Sequence, residues 1–204
     1  MNYLVTLLER LKSRGISPKG FIDAGAHLGE SNNMIKAVFP ESRVVSFEAN
    51  PNCEYALSGQ GMEYFICLLG DKNVESVPFF VNKDDPVSTG CSIYKEESEF
   101  FDGQTVNLPM YRLDNIIPSD ADFDFLKMDV QGAEIDILNG ATDLLPSLKY
   151  IYLEVSFVSC NAGAPLFDTI FTYLTSRGYR ISDISDPTWV EGKLLQCNFL
   201  FEKL

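Results

Sequence analysis

Two acids at the ends of apolar strands, with glycines between them, set out the first chemistry this chain can do. A short apolar run from Gly20 to Ile22 reaches Asp23, glycines follow at 25 and 29, and a helix-compatible run continues through Met34 to Phe39. A second apolar run, Arg43 to Phe47, ends in Glu48, roughly twenty residues past the glycine loop, where a doubly wound sheet places an acid to accept from ribose hydroxyls. Glycine lets the backbone turn sharply and approach a ligand. Asp23, Gly25, Ala26, His27, Gly29 and Glu48, with Asn50 just beyond, are therefore the candidate residues of a nucleotide-cofactor pocket.

The loop decides which cofactor. A dinucleotide fingerprint, G-x-G-x-x-G, brings bare backbone and a helix N-terminus against a pyrophosphate. Here the spacing is D-x-G-A-x-x-G, and His27 stands where the second glycine of that fingerprint falls, so a side chain obstructs a diphosphate. S-adenosylmethionine carries no phosphate. It presents an amino acid head, a sulfonium and a ribose, and it rewards a carboxylate at Asp23. Asp71, after a third strand-like run ending at Leu69, is the expected polar partner for adenine, although with Gly70 it also reads as a turn former. A nicotinamide oxidoreductase is the rival that the Ala26-His27 pair disfavours, and a cofactor-binding module without catalysis is the other.

Methyl transfer is an in-line displacement that needs the attacking oxygen held behind the methyl group and relieved of its proton. Asp129 closes the apolar run Phe123 to Met128 and is the first candidate for orienting an acceptor or for base work, its bland alternative being a helix N-cap. Glu134 falls in the first turn of the following helix, where a negative charge is favoured in any case. Glu154 interrupts the end of the apolar run Lys149 to Val155, and a carboxylate there has to be paired or reach a cavity. His27 is the only histidine, so any imidazole-based proton transfer has to use it. Lys127 reads as a snorkelling side chain. Asp129, Glu134 and Glu154 together offer oxygens to a hard divalent cation, but no spacing demands one, and metal dependence is left open.

These blocks carry a family resemblance. Asp23 to Gly29, then Phe47-Glu-Ala-Asn-Pro51, then Leu126-Lys-Met-Asp-Val-Gln-Gly-Ala-Glu134 with Leu138-Asn-Gly-Ala141, resemble the FkbM family of S-adenosylmethionine-dependent methyltransferases over about residues 20 to 156. The K-x-D-x-x-G-x-E string is the most specific of them. The resemblance implies a Rossmann-like class I methyltransferase fold with a seven-stranded sheet, and O-methylation of a hydroxyl on a sugar, glycan or polyketide-like acceptor. One position departs: the family usually has asparagine where this chain has His27.

The elements that must position these residues alternate as strands and helices. Leu4, Leu7, Leu8 and Leu11 share one face of an N-terminal helix within residues 1–19. Helices are expected over Gly132 to Leu145 and Leu166 to Arg177, the second stopped by Gly178. Tyr179 to Ile184 and Leu194 to Phe201 form a closing hairpin around Asp186-Pro187 and Gly192. The alternation predicts a three-layer α/β/α unit whose mostly parallel sheet has one antiparallel edge strand. The stretch 71–117 breaks the alternation with Ser76 to Val81, the acidic run Glu96 to Glu99 and Thr105 to Tyr111, and is expected to lie over the crevice as a substrate lid. The aromatic residues there (Phe79, Phe80, Tyr94, Phe100, Phe101, Tyr111), with Phe157, are read mostly as core.

With 204 residues, 46% of them hydrophobic, and no linker-like segment, the chain fits a single domain, 1–204. A net charge of −13 argues against a nucleic-acid partner, which leaves a small-molecule or carbohydrate acceptor. Five cysteines, an odd count without a C-x-x-C pair, point to reduced core residues rather than disulfides or zinc. Charges at positions 9, 10, 12 and 14 interrupt the first segment too early for a secretory core or membrane span, so a cytoplasmic location and a monomer or homodimer are the expectations.

Overall fold

Alternate residues of the central strands face opposite ways, and both sets are mostly apolar, as a sheet covered on two sides requires. The structure, a computed structural model, describes residues 3–95 and 103–204. The acidic run Glu96 to Glu99 and the aromatic pair Phe100 and Phe101 lie outside the described residues. In chain order the elements are α1 (Tyr3–Ser13), β1 (Gly20–Ala24), α2 (Glu30–Val38), β2 (Arg43–Glu48), α3 (Glu54–Ser58), β3 (Glu63–Ile66), β4 (Leu68–Leu69), β5 (Val74–Asn82) and β6 (Gly103–Tyr111). There follow β7 (Phe125–Met128), α4 (Glu134–Asn139), β8 (Tyr150–Ser156), α5 (Phe167–Thr175), β9 (Tyr179–Val190) and β10 (Lys193–Lys203).

The main sheet has seven strands in the order β3-β2-β1-β7-β8-β10-β9. The first five run parallel, and β10 is antiparallel to both β8 and β9, so the antiparallel strand sits just inside the edge. Ile22, Ala24, Val45, Phe47, Leu126, Met128, Ile151 and Leu153 pack with Ile137 and Leu138 of α4 and Ile170 and Leu174 of α5. Phe21, Val44, Phe125, Tyr150 and Tyr152 face the other way, against Leu4, Leu7, Leu8 and Leu11 of α1 and Ile35 and Val38 of α2. The order reverses direction at β1, between β2 and β7, and the crevice above such a switch point is where open α/β sheets bind ligands.

Three elements differ from the reading of the sequence. The run Tyr64 to Leu69 is split at Cys67: β3 stays in the main sheet, while β4 joins β5 and β6 in a separate three-stranded sheet, parallel to β6. The expected helix from Gly132 keeps only Glu134–Asn139 as α-helix. The closing hairpin is longer than expected, its strands running to Val190 and from Lys193. Glu191 (φ 49°) and Gly192 (φ 76°) alone make its turn, the paired positive φ of a tight two-residue connection, and Pro187 is tolerated because β9 is an edge strand.

Candidate active site

The loop after β1 is built inward from backbone bonds. Gly25 and Ala26 both donate to the Phe47 carbonyl, at 2.9 and 3.1 Å, and Asp129 N–H donates to the Ala24 carbonyl at 3.0 Å. Gly25 has φ 77°, and a Cβ there would overlap the Asp129 carbonyl, so glycine alone lets the loop lie against the end of β7. His27 is also left-handed, at φ 51°, and its N–H donates to Glu48 Oε2 at 2.7 Å. Glu48 Oε1 accepts from Asn50 N–H, also at 2.7 Å. Both Glu48 oxygens thus tie the first glycine loop to the turn after β2. Burial pushes the Glu48 carboxyl upward, against the pull of those two amides.

Asp23 is fully buried and shares strand parity with Phe21, so it points towards the α2 side, beneath the loop. Lys127, opposite it in register on β7, places Nζ 2.9 Å from Asp23 Oδ1 and donates to the Gly25 carbonyl at 3.0 Å. Lys127 is therefore a buried cation under the loop, not a snorkelling one. Asp23 Oδ2 has no hydrogen-bond partner among the described residues. Burial pushes Asp23 upward against the attraction of Lys127. Burial acts to lower Lys127, but Asp23, Asp129 and Glu48 facing it together hold it above its ordinary value. Deeper support comes from a polar chain invisible to motif reading: Ser46 Oγ donates to Asn32, Asn32 to Gln60, and Gln60 to the Leu28 and Gly29 carbonyls, all at 2.9 to 3.1 Å.

Above this floor opens a cavity of about 710 Å³, counting its mouth, within the ~300–1,000 Å³ span of small-molecule sites. Ala24, Gly25, His27, Glu48, Asn50 and Asp129 line its base, Leu68, Leu69 and Phe79 one wall, and Ser88, Thr89, Cys91 and Ser92 its roof. Asp23, Ala26 and Gly29 support the loop without lining the cavity. Asp71 is not brought to it either: it is exposed, and its carbonyl accepts from Arg112 at 2.8 Å.

A second cavity lies at the ends of β7 and β8, lined by Gln131, Glu134, Glu154, Ser156, Asn161 and Gln196 among others. Gln131 joins the two cavities, its amide donating to Asp129 Oδ1 at 2.8 Å and to Glu154 Oε2 at 3.3 Å. Gln196 donates to the same Glu154 oxygen at 3.0 Å. Asp129 is not an N-cap, since α4 begins five residues later behind Ala133 without a side-chain cap. Glu134 is buried and accepts from Gly132 N–H at 3.2 Å. Burial, with Asp129 and Glu154 adding repulsion, pushes it up to about 7, against the backbone bonds that lower it. Among the described residues, no three His, Cys, Asp or Glu side chains are arranged to hold a metal ion, so the three acids do not form the cation site the sequence left open.

Gln131 and Gln196 escaped the sequence reading because amides do not titrate. The available signal for Gln131 was its place inside the K-x-D-x-x-G-x-E string, and its φ of 52° is a strain typical of working sites. No cysteine forms a disulfide; Cys91 packs against the core of the small sheet and also lines the first cavity, and Cys160 lines the second. No helix among the described residues is long and apolar enough to cross a membrane.

A glycine loop after β1, an acid at the end of β2 and the strand order β3-β2-β1-β7-β8-β10-β9, which is 3-2-1-4-5-7-6 when the strands of this sheet alone are counted along the chain, define a Rossmann-like class I methyltransferase fold. The chain belongs to the methyltransferase FkbM domain family, whose profile matches residues 23–181. No curated protein matches it. Among solved structures it is similar to an S-adenosylmethionine-dependent methyltransferase from Clostridium acetobutylicum ATCC 824, at 11% identity and TM-score 0.55 over 100% of this chain and 92% of that one. Magnesium protoporphyrin IX methyltransferase from Synechocystis PCC 6803 gives 8% identity and TM-score 0.55 over 98% and 78%. An rRNA methylase from Streptococcus thermophilus gives 9% and 0.53 over 100% and 98%. Likeness across such different acceptors speaks for the fold and not for the substrate.

Proposed function

We propose that this protein is an S-adenosylmethionine-dependent O-methyltransferase acting on a hydroxyl of a sugar, glycan or other small polar acceptor. The observation that carries the cofactor is the charge around the loop, where Asp23, Glu48 and Asp129 face Lys127. Such a floor attracts a cationic ligand and repels a diphosphate. S-adenosylmethionine supplies an electrophilic methyl group on a sulfonium. Gly25 and the backbone at His27 would face its amino acid end, Glu48 its ribose, and Leu68, Leu69 and Phe79 its adenine.

The second cavity supports the acceptor class. The residues lining it offer carboxylates, amides and a hydroxyl, and none of them is Lys, Arg or His. That suits hydroxyls better than phosphates, and with a net charge of −13 it disfavours nucleic acid. Asp129 and Glu154 orient the acceptor hydroxyl. Glu134, whose carboxyl is pushed up to about 7, would take the proton that the hydroxyl gives up as its oxygen bonds the methyl carbon and the methyl–sulfur bond breaks, leaving S-adenosylhomocysteine.

Calorimetric titration with S-adenosylhomocysteine, with NAD in parallel and Glu48→Ala as control, tests the cofactor. Methyl transfer from labelled donor to a panel of neutral sugars and alcohols, with Glu134→Gln as control, tests the acceptor. Saturable binding that Glu48→Ala weakens is expected; binding of NAD instead, or of neither, refutes the proposal.

A further inference from the structure

The roof of the cofactor cavity is fastened at points far apart in sequence. Residues 83–92 leave β5 at Asn82, whose Oδ1 accepts from Asp84 and Asp85 N–H at 2.9 and 3.2 Å. They return to it where Phe80 and Ser92 exchange backbone bonds of 2.8 and 3.2 Å. Between these roots the segment is held from below. His27 Nε2 meets the Val87 carbonyl at 2.6 Å, and because a carbonyl only accepts, that nitrogen carries the proton. Asn50 Nδ2 donates to the Pro86 carbonyl at 2.6 Å, with Asn52 Nδ2 behind it at 3.3 Å. Ser92 Oγ donates to the Gln131 carbonyl at 2.8 Å.

The fastenings come from the loops after β1, β2 and β7, the three strands whose ends form the cavity floor, and the segment they hold contributes Ser88, Thr89, Cys91 and Ser92 to the lining. We infer that His27 is a positioning residue whose imidazole pins residues 83–92 as a strap over the cofactor, and that this pin must release each time cofactor enters or product leaves. The inference rests on the reading of the first cavity as the S-adenosylmethionine site. It changes the role expected for this part of the 71–117 insertion, which covers the cofactor rather than the acceptor. It also gives His27 a task that a shorter asparagine at the same left-handed position would not reach, while the loop geometry itself, set by the His27 N–H bond to Glu48, needs no imidazole.

The test measures the dissociation rate of S-adenosylhomocysteine, together with amide hydrogen exchange of residues 83–92 in the ligand-free protein, for wild type, His27→Phe and Asn52→Ala. One hydrogen bond is worth a factor of about 2 to 10. His27→Phe is expected to speed dissociation by about that factor and to speed strap exchange without ligand, leaving β1 and β2 exchange unchanged. Asn52→Ala, exposed and outside the cavity lining, is expected to move both in the same direction by about 2-fold, and it carries the test if His27→Phe does not fold. Unchanged dissociation overturns the inference. So does faster dissociation with unchanged ligand-free strap exchange, which would make His27 a direct cofactor contact. Failure of the wild type to bind S-adenosylhomocysteine at all strikes instead at the proposed function, and the inference falls with it.

Discussion

Replacing Glu134 by glutamine separates what that residue does for the reaction from what it costs the fold. Its carboxyl is buried and is pushed from 4.5 up to about 7, and in the unfolded chain it titrates near its ordinary value. Between those two values the folded state holds a proton that the unfolded state has released, so stability falls as the pH rises. The contribution is fully present below about pH 4.5 and lost by the time the pH passes about 7. At 1.36 kcal/mol per unit the loss amounts to about 3 kcal/mol. Glutamine keeps the acceptor oxygen for the Gly132 N–H and carries no charge. Glu134→Gln is therefore expected to be more stable than wild type at pH 8 by up to about 3 kcal/mol, nearly equal to it at pH 4.5, and impaired in methyl transfer. Urea unfolding at both pH values checks the first two expectations. A variant that is equally or less stable at pH 8 would refute the reasoning, because it would mean that the buried carboxylate has a compensating partner.

Gly25→Ala meets both the left-handed backbone and the Asp129 carbonyl, and is expected to abolish cofactor binding by calorimetry. Gly61→Ala, with φ 67° and open space around it, should cost only the strain of about 1–2 kcal/mol and leave binding intact. Lys127→Met leaves Asp23 buried without its partner and is expected to destabilise by about 3–5 kcal/mol in urea, with Asp23→Asn in the same chain restoring part of that. Gln131→Gly relieves the positive φ, so melting temperature should hold or rise while methyl transfer falls as Asp129 and Glu154 lose their bridge.

The sheet was legible because its strands are short apolar runs that end in acids or glycines, and the hydrophobic pattern survives from sequence to core. Side-chain direction was legible in part: the parity of Asp23 with Phe21 already separates it from Ile22 and Ala24, yet its burial under the loop depends on Lys127, a hundred residues away. Asp71 illustrates the limit. Counting along an unbroken strand puts it beside the adenine, but Cys67 diverts the chain so that Leu68 and Leu69 pair with Met110 and Tyr111, and Asp71 is carried past the pocket. Nothing local to residues 64–71 encodes that pairing. The same holds for Gln196, which reaches Glu154 only through the register of β10 on β8, and for the strap, whose fastenings from below join residues 34 to 60 positions apart.

The distribution of charge gives these features a common cause. Burying Asp23, Glu48 and Glu134 is unfavourable, and their raised pKa values record the cost. Lys127 offsets it for the floor of the first cavity, and the Gln131 and Gln196 amides solvate Glu154 beside the second without neutralising it. On the proposed reading the remaining negative charge is balanced at the moment of reaction, by a sulfonium on one side of Asp129 and by a departing hydroxyl proton on the other. A site built this way is less stable alone than with its positively charged donor bound. At equal free concentrations, S-adenosylmethionine should accordingly raise the melting temperature more than the product, which lacks the sulfonium charge, and the difference should shrink in Asp129→Asn. An equal shift for both ligands in wild type would show that the acids serve the fold and not the transferred charge.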